Sequence, residues 1–254
     1  MTDEAVKILQ DPLKKGWLRR VRTHGEEFLV CEDGRRYIVR NGIACFLSRY
    51  QLIGNNAATQ KMYDKMAQYY NFSMSIYAHV KHTKDREQVQ EYLSRLKIND
   101  DDSVAEICAR TGQNLVRLNP RASYVDVDLS FEMLRQCSRA LRRKRRKVVC
   151  VQAEPEYLPL QDGSFDIVYT VDSFNYANNR TGVVEEMLRV ARSGGTIMIC
   201  DALKNFHATA ESAPGAAEDE ALRVPADYVP EGCTDVHYEE SSIANLYLLT
   251  FRKP

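Results

Sequence analysis

Two stretches decide how this chain is read. Val104-Ala105-Glu106-Ile107-Cys108-Ala109-Arg110-Thr111-Gly112 is one, and Tyr124-Val125-Asp126-Val127-Asp128-Leu129-Ser130-Phe131-Glu132-Met133-Leu134 is the other. Each opens as a short apolar run rich in strand formers and closes on an acid and turn residues. Three further runs follow: Val148-Val149-Cys150-Val151, Phe165-Asp166-Ile167-Val168-Tyr169 and Thr196-Ile197-Met198-Ile199-Cys200. Residues with helical periodicity separate them, at Phe131 to Arg143 and at Gly182 to Ala191. Alternating strands and helices predict an α/β fold, a mostly parallel sheet covered on both faces as three layers.

N-terminal to this core, Glu27 to Cys31 and Arg36 to Val39 read as strands joined by Glu32-Asp33-Gly34, with Asn41-Gly42 as a second turn. Tyr50 to Leu96 reads as helical: Met62, Met66, Tyr69 and Tyr70, then Val89, Tyr92, Leu93 and Leu96, recur at helical spacing. On the C-terminal side, His207 to Pro230 reads as a loop or insertion. Asp235 to Tyr238 and Asn245 to Arg252 then fit a closing antiparallel pair. Two units are expected: a small β unit over 1–54, and a larger domain over 55–254 that includes lid helices over 55–98.

Composition narrows the function classes. The 254 residues carry 35 basic and 35 acidic side chains, so the formal net charge is zero and a general nucleic-acid binder is disfavoured. Seven cysteines, widely spaced and without CxxC, read as reduced and mostly buried thiols. His79, His82, His207 and His237 have no metal-site spacing, so no metal is expected. Met1 to Gln10 lacks the apolar core of a signal peptide, and no run is long enough to span a bilayer. A soluble reducing compartment, most simply the cytoplasm, is expected.

In open α/β sheets a ligand sits beyond the carboxyl ends of the strands. Glu106 to Gly112, Asp128 and Glu154-Pro155-Glu156 all fall there. Asp128 lies 22 residues after Glu106, the separation at which an acid can accept from the ribose hydroxyls of a nucleoside. It is equally suited to cap the helix that starts near Ser130.

The second stretch resembles the strand 2 motif of class I, Rossmann-like S-adenosylmethionine (SAM) methyltransferases. Glu154 to Asp166 resembles their adenine-side motif, Glu186-Met187-Leu188-Arg189-Val190-Ala191-Arg192-Ser193-Gly194-Gly195-Thr196 their helix and turn before strand 5. Tyr63-Asp64-Lys65-Met66-Ala67-Gln68-Tyr69-Tyr70 is similar to the lid helix of the ubiquinone/menaquinone-biosynthesis-like, type 11 branch. The resemblance implies cofactor contacts at Glu106, Cys108, Arg110, Gly112, Asp128, Leu129, Glu154, Pro155 and Asp172. It also implies an acceptor pocket near Tyr69, Tyr70, Tyr77, Phe174 and Asn175, and a small-molecule acceptor. Core packing is the competing reading for these aromatics. Cys31 to Ile43 resembles a zinc-ribbon-like extension in which only Cys31 remains of the ligands, implying a metal-free β unit.

The first turn departs from the family's acid-x-Gly-x-Gly-x-Gly. Cys108 and Arg110 replace the first two glycines, and Pro155 removes an N–H that would meet the adenine ring. Arg110 can pair with the methionine carboxylate of SAM or fill the cofactor's space. Arg142-Arg143-Lys144-Arg145-Arg146-Lys147 can meet RNA phosphates or an acidic protein, or be a solvated helix end. Two functions follow as expectations: a SAM-dependent methyltransferase, or an inactive methyltransferase-like subunit of a larger complex.

Overall fold

The computed structural model describes residues 1–47, 52, 56–81, 84–203 and 224–254, without the side chains of 74, 75 and 77–81. Tyr77, His79, His82, His207, the boundary at 54/55 and most of the expected insertion lie outside the described residues or side chains.

Five parallel strands form the centre: β5 (Ser103–Ile107), β6 (Ser123–Asp128), β7 (Val148–Gln152), β8 (Phe165–Val171) and β9 (Ala191–Ala202). They lie in the order β7-β6-β5-β8-β9, so the chain reverses direction of travel at the β5/β8 neighbours. That point is the switch where open α/β sheets bind ligands. The C-terminal strands β10 (Thr234–Glu240) and β11 (Leu246–Arg252) form an antiparallel pair, as the sequence predicts, and β11 joins it antiparallel to the β9 edge.

The N-terminal strands β1 (Arg19–Thr23), β2 (Glu26–Val30), β3 (Arg36–Arg40) and β4 (Ile43–Cys45) extend the other edge. β4 pairs in parallel with β7, Ala44 opposite Val151 and Cys45 opposite Gln152. β1 and β4 are not apparent from sequence: the first alternates arginines with small or branched residues, and the second is three residues long. The β2–β3 hairpin is cross-braced through Asp11. Buried Asp11 accepts from Arg35 Nη2 at 2.5 Å, from Tyr37 Oη at 3.0 Å and from Leu13 N at 3.1 Å. Burial, with the Asp11 charge, pushes the neighbouring Cys31 thiol up to about 11, so it stays protonated.

Helices cover both faces. α4 (Phe131–Arg143) starts at Ser130, whose hydroxyl accepts from Met133 N at 3.1 Å, and buries Met133, Leu134, Cys137 and Leu141. It packs with α3 (Asp85–Ser94) in one core, which holds Val89, Tyr92 and Leu93 beside Tyr124 and Tyr169. On the opposite face α5 (Arg180–Val190) buries Val183, Val184 and Met187 against Val168 and Ile197. A short α1 (Asp3–Lys7) opens the chain, and the long lid helix is α2 (Asn56–Lys81). The expected Gly-Gly turn is a bulge inside β9. The register jumps between Phe165/Ala191 and Ile167/Thr196, and a Cβ on Gly195 would meet Arg192 O at 2.8 Å.

Candidate functional site

The turn after β5 carries left-handed backbone at all three glycine-type positions. φ is 62° at Cys108, 52° at Arg110 and 69° at Gly112. Non-glycine residues rarely occupy this region, and each such position stores on the order of 1–3 kcal/mol. The loop therefore keeps a glycine-loop backbone although two of its glycines are replaced. Gly112 is reserved by packing: a Cβ there would meet Cys137 Sγ at 2.6 Å.

Arg110 joins the ends of three strands. Its backbone N donates to Asp128 Oδ2 at 2.8 Å. Its guanidinium donates to the Asp172 carbonyl and lies 3.5 Å from Asp172 Oδ2 and 3.4 Å from Ser173 Oγ. The Tyr70 ring centroid lies 5.8 Å from the Arg110 Cζ, within cation–π range. Asp172 itself has φ 54° and donates its N–H to Cys200 O, so the far wall is also a tight turn.

Asp128 is buried at the end of β6, and Ser130 N donates to its Oδ1 at 2.8 Å. Ser130 rather than Asp128 caps α4. Each Asp128 oxygen has one backbone donor and a lone pair to spare. Burial pushes its carboxyl up to about 6, against the opposing pull of those N–H groups. Glu154 accepts from Asn56 Nδ2 at 3.0 Å. Asn56 in turn accepts from Asn178 Nδ2 at 2.7 Å. Glu156 is 6% exposed; burial raises its carboxyl, opposed by its own backbone N–H, the Asn179 backbone N–H and the Asn56 side chain. Its charge and that of Asp128 raise the Cys108 thiol, whose largest shift comes from burial. Pro155 is buried between the two glutamates. Leu129 braces the β6 end, its carbonyl accepting from Gln152 Nε2 at 2.9 Å.

The lid helix is bolted to this site. Asp64 Oδ1 accepts from Ser130 Oγ at 2.5 Å and from Glu132 N at 3.2 Å. Thr111 Oγ1 donates to Asn71 Oδ1 at 2.7 Å. Tyr63 and Tyr70, two turns apart, stand with ring centroids 6.3 Å apart, and burial raises both phenols while the Arg110 charge opposes it.

Several expectations from sequence are corrected. Glu106 lies beneath the loop rather than in it. It is fully buried, accepts from Asn114 Nδ2 at 2.8 Å, and sits in register between Asp126 and Tyr169. Burial pushes it up to about 7. Phe174 belongs to the core, edge-on to Tyr228 at 5.5 Å. Asn175 is fully committed: its N–H meets Asp201 Oδ2 at 2.9 Å, its Nδ2 meets Ala202 O at 2.7 Å, and its Oδ1 accepts from Tyr247 Oη at 3.0 Å. Tyr69 is 63% exposed, on the outer side of α2. Arg146 is not a free surface cation, because its Nη2 donates to Val116 O at 2.9 Å and Leu118 O at 2.5 Å. Tyr63, Asp64 and Glu156 lay inside quoted motifs, where a Tyr–Tyr spacing of seven was the available signal. Nothing in the sequence pointed to Asn56.

The cleft thus holds a strained turn, Arg110 and several buried acids at the switch point of a Rossmann-like sheet. Residues 105–199 match the family described as "Methyltransferase domain". Over this segment the chain is similar to methyltransferase domains. Among similar proteins, the malonyl-[acyl-carrier protein] O-methyltransferase of Marinomonas sp. (strain MWYL1) is 32% identical over 115 residues, 43% of this chain and 42% of that protein. The demethylmenaquinone methyltransferase of Mycobacterium sp. (strain JLS) is 28% identical over 156 residues, 61% of this chain and 64% of that one. The chain therefore spans less than two thirds of the length of either relative. The fold is shared with a Haemonchus contortus N-methyltransferase solved with S-adenosylhomocysteine, at TM-score 0.53 and 12% identity, covering 66% of this chain and 52% of that one. A Pyrococcus horikoshii OT3 protein aligns at TM-score 0.52 and 15% identity, covering 68% and 92%. Among the described residues, no helix of this methyltransferase-fold chain is long and apolar enough to cross a membrane.

Proposed function

We propose that the chain is a SAM-dependent methyltransferase acting on a small molecule. The observation that carries this reading is the charge set of the cleft. Asp128 and Asp172 flank the cation Arg110, and Glu156, with Glu154 next to it, acts on the adjoining Cys108. SAM brings two cationic centres, a sulfonium and an ammonium, and one carboxylate. Several acids and one arginine suit that pattern. Glu156, buried beside Cys108, adds a further acid to the fit.

In this reading Asp128 accepts from the ribose hydroxyls with its spare lone pairs, and Glu154 from the adenine amino group. Pro155 offers no ring donor, which forgoes about 0.5–1.5 kcal/mol. Arg110 takes the carboxylate, and the backbone of the left-handed turn lets the ligand approach. When bound, SAM supplies an electrophilic methyl group. The chain's part is to hold it in a dry cleft under α2 and to align the acceptor beside Tyr63 and Tyr70, so no obligatory acid or base is needed. The demethylmenaquinone methyltransferase of Mycobacterium, a relative named for a small-molecule acceptor, supports that acceptor class.

A second reading, an inactive methyltransferase-like subunit, is favoured by one observation: Arg110 is already tied to the Asp172 carbonyl and Ser173. Arg110→Ala separates the two. Titration calorimetry with SAM should show weaker binding, by roughly tenfold for a lost charged hydrogen bond. Tighter binding would mean that Arg110 occupies the cofactor's place.

A further inference from the structure

The cations of the run after α4 are not used by the fold, with one exception. Arg142, Arg143, Lys144, Arg145 and Lys147 are all exposed, and Arg139 lies one turn before Arg143 on the same helix face. Other arginines do find partners, Arg95 with Glu91, Arg121 with Asp100 and Arg135 with Glu132. Among the described residues, no carboxylate lies in ion-pair range of the run. A helix C-terminus presents only about half a negative charge, which does not balance six cations.

The exception, Arg146, makes the others rigid. It is anchored to Val116 O and Leu118 O, and Arg145 N and Arg146 N donate back to Arg142 O and Leu141 O. With Arg145 in the left-handed region (φ 56°), the run folds into a fixed knuckle rather than a loose tail. Arg142 lies over the β3–β4 turn, where a Cβ on Gly42 would stand 3.4 Å from its Nη2. Exposed Arg40 sits at the end of β3 beside that turn.

Location sets what the patch can do. It lies at the start of β7, so at the opposite end of the sheet from Arg110 and Asp128, about 16 Å away along a five-residue strand. A molecule docked there leaves the cleft open. The patch is rich in Arg, whose planar fork suits phosphate. It contains no aromatic residue and adjoins none of the exposed large hydrophobics, which lie at Leu13, Trp17, Tyr157, Tyr176 and on α2 among others. A protein interface needs an apolar centre, and base recognition needs stacking rings; this surface offers neither. We infer that the knuckle at 139–147 binds the phosphate backbone of RNA without reading its sequence, anchoring the protein through a site separate from the cleft.

The test is fluorescence anisotropy of the full chain with a 20-base-pair RNA duplex of two unrelated sequences, across a salt series. A polyglutamate peptide of matched charge serves as the comparison. The expected result is equal affinity for both sequences, with log K falling against log salt at a slope of roughly −4 to −5, for about five neutralised phosphates. Replacing Arg142, Arg143, Lys144 and Arg145 with Gln should weaken binding at least tenfold and flatten the slope by ~3, with circular dichroism and melting temperature unchanged. No duplex binding at low salt, retained binding by the Gln variant, or polyglutamate binding as tightly as RNA would each overturn the inference. The last outcome would assign the surface to an acidic protein.

Discussion

Gly112 shows how one atom's worth of space orders the site. It combines a left-handed backbone with a gap too small for a methyl group, because Cys137 Sγ fills it and itself donates to Asp126 Oδ2 at 2.7 Å. Gly112→Ala should cost about 2–4 kcal/mol by chemical denaturation, the sum of a backbone penalty and overpacking. In a Cys137→Ala background the same change should cost only about 1 kcal/mol, the backbone part. Equal costs in both backgrounds would show that packing against Cys137 does not set the residue. Cys108 and Arg110 teach the converse. They replace two glycines of the family's turn, yet the left-handed backbone is retained at both. Propensity makes positive φ improbable at Cys or Arg but does not forbid it. The sequence also misplaced Phe174 and Asn175, because position after a strand indicates a loop near the ligand and says nothing about which way each side chain turns. Their partners, Tyr228, Asp201 and Tyr247, are remote in sequence.

At the scale of elements, α2 is fixed to the site through few bonds, and Asp64 is the main one. It serves α4 as a second N-terminal acceptor from outside the helix. Asp64→Ala should destabilise the docked lid by about 1–2 kcal/mol, while leaving α4 capped by its own Ser130. Hydrogen exchange would report this as faster exchange in 56–73 with 131–143 little changed. Equal acceleration in both helices would contradict a lid-specific role. The central elements were legible because their periods are strong: α4 was predicted over its observed residues, and β5 to β8 to within a residue or two at most ends. β1, β4 and α1 were not, because short elements stabilised by pairing carry little local signal. The bond between β4 and β7 is a tertiary fact that no local pattern holds.

For the whole molecule, burial of acids couples stability to pH. Glu106 is pushed up to about 7 by burial, opposed by Asn114, and Asp128 to about 6. Asp126, facing Glu106, is raised as well, first by burial and then by the Glu106 charge. A carboxyl raised in the folded state holds its proton more tightly there than when unfolded. Its stabilising contribution is therefore full below the ordinary value near 4.5 and is lost as pH rises through about 7. The melting temperature should be higher near pH 5.5 than near pH 8, and Glu106→Gln, which can keep the Asn114 bond, should flatten that difference. A slope unchanged by Glu106→Gln would remove Glu106 from this account.

Asp128 and Asp172 on either side of Arg110, with Glu154 and Glu156 nearby, are the reason to expect a cationic nucleoside ligand. The most direct measurement is calorimetric titration of the purified chain with SAM and with S-adenosylhomocysteine. Saturable one-to-one binding with micromolar dissociation constants, about −8 kcal/mol, is expected, weakened by Asp128→Ala. Absence of binding at millimolar concentrations of either ligand would contradict it, and would leave a methyltransferase fold whose cleft Arg110 has closed.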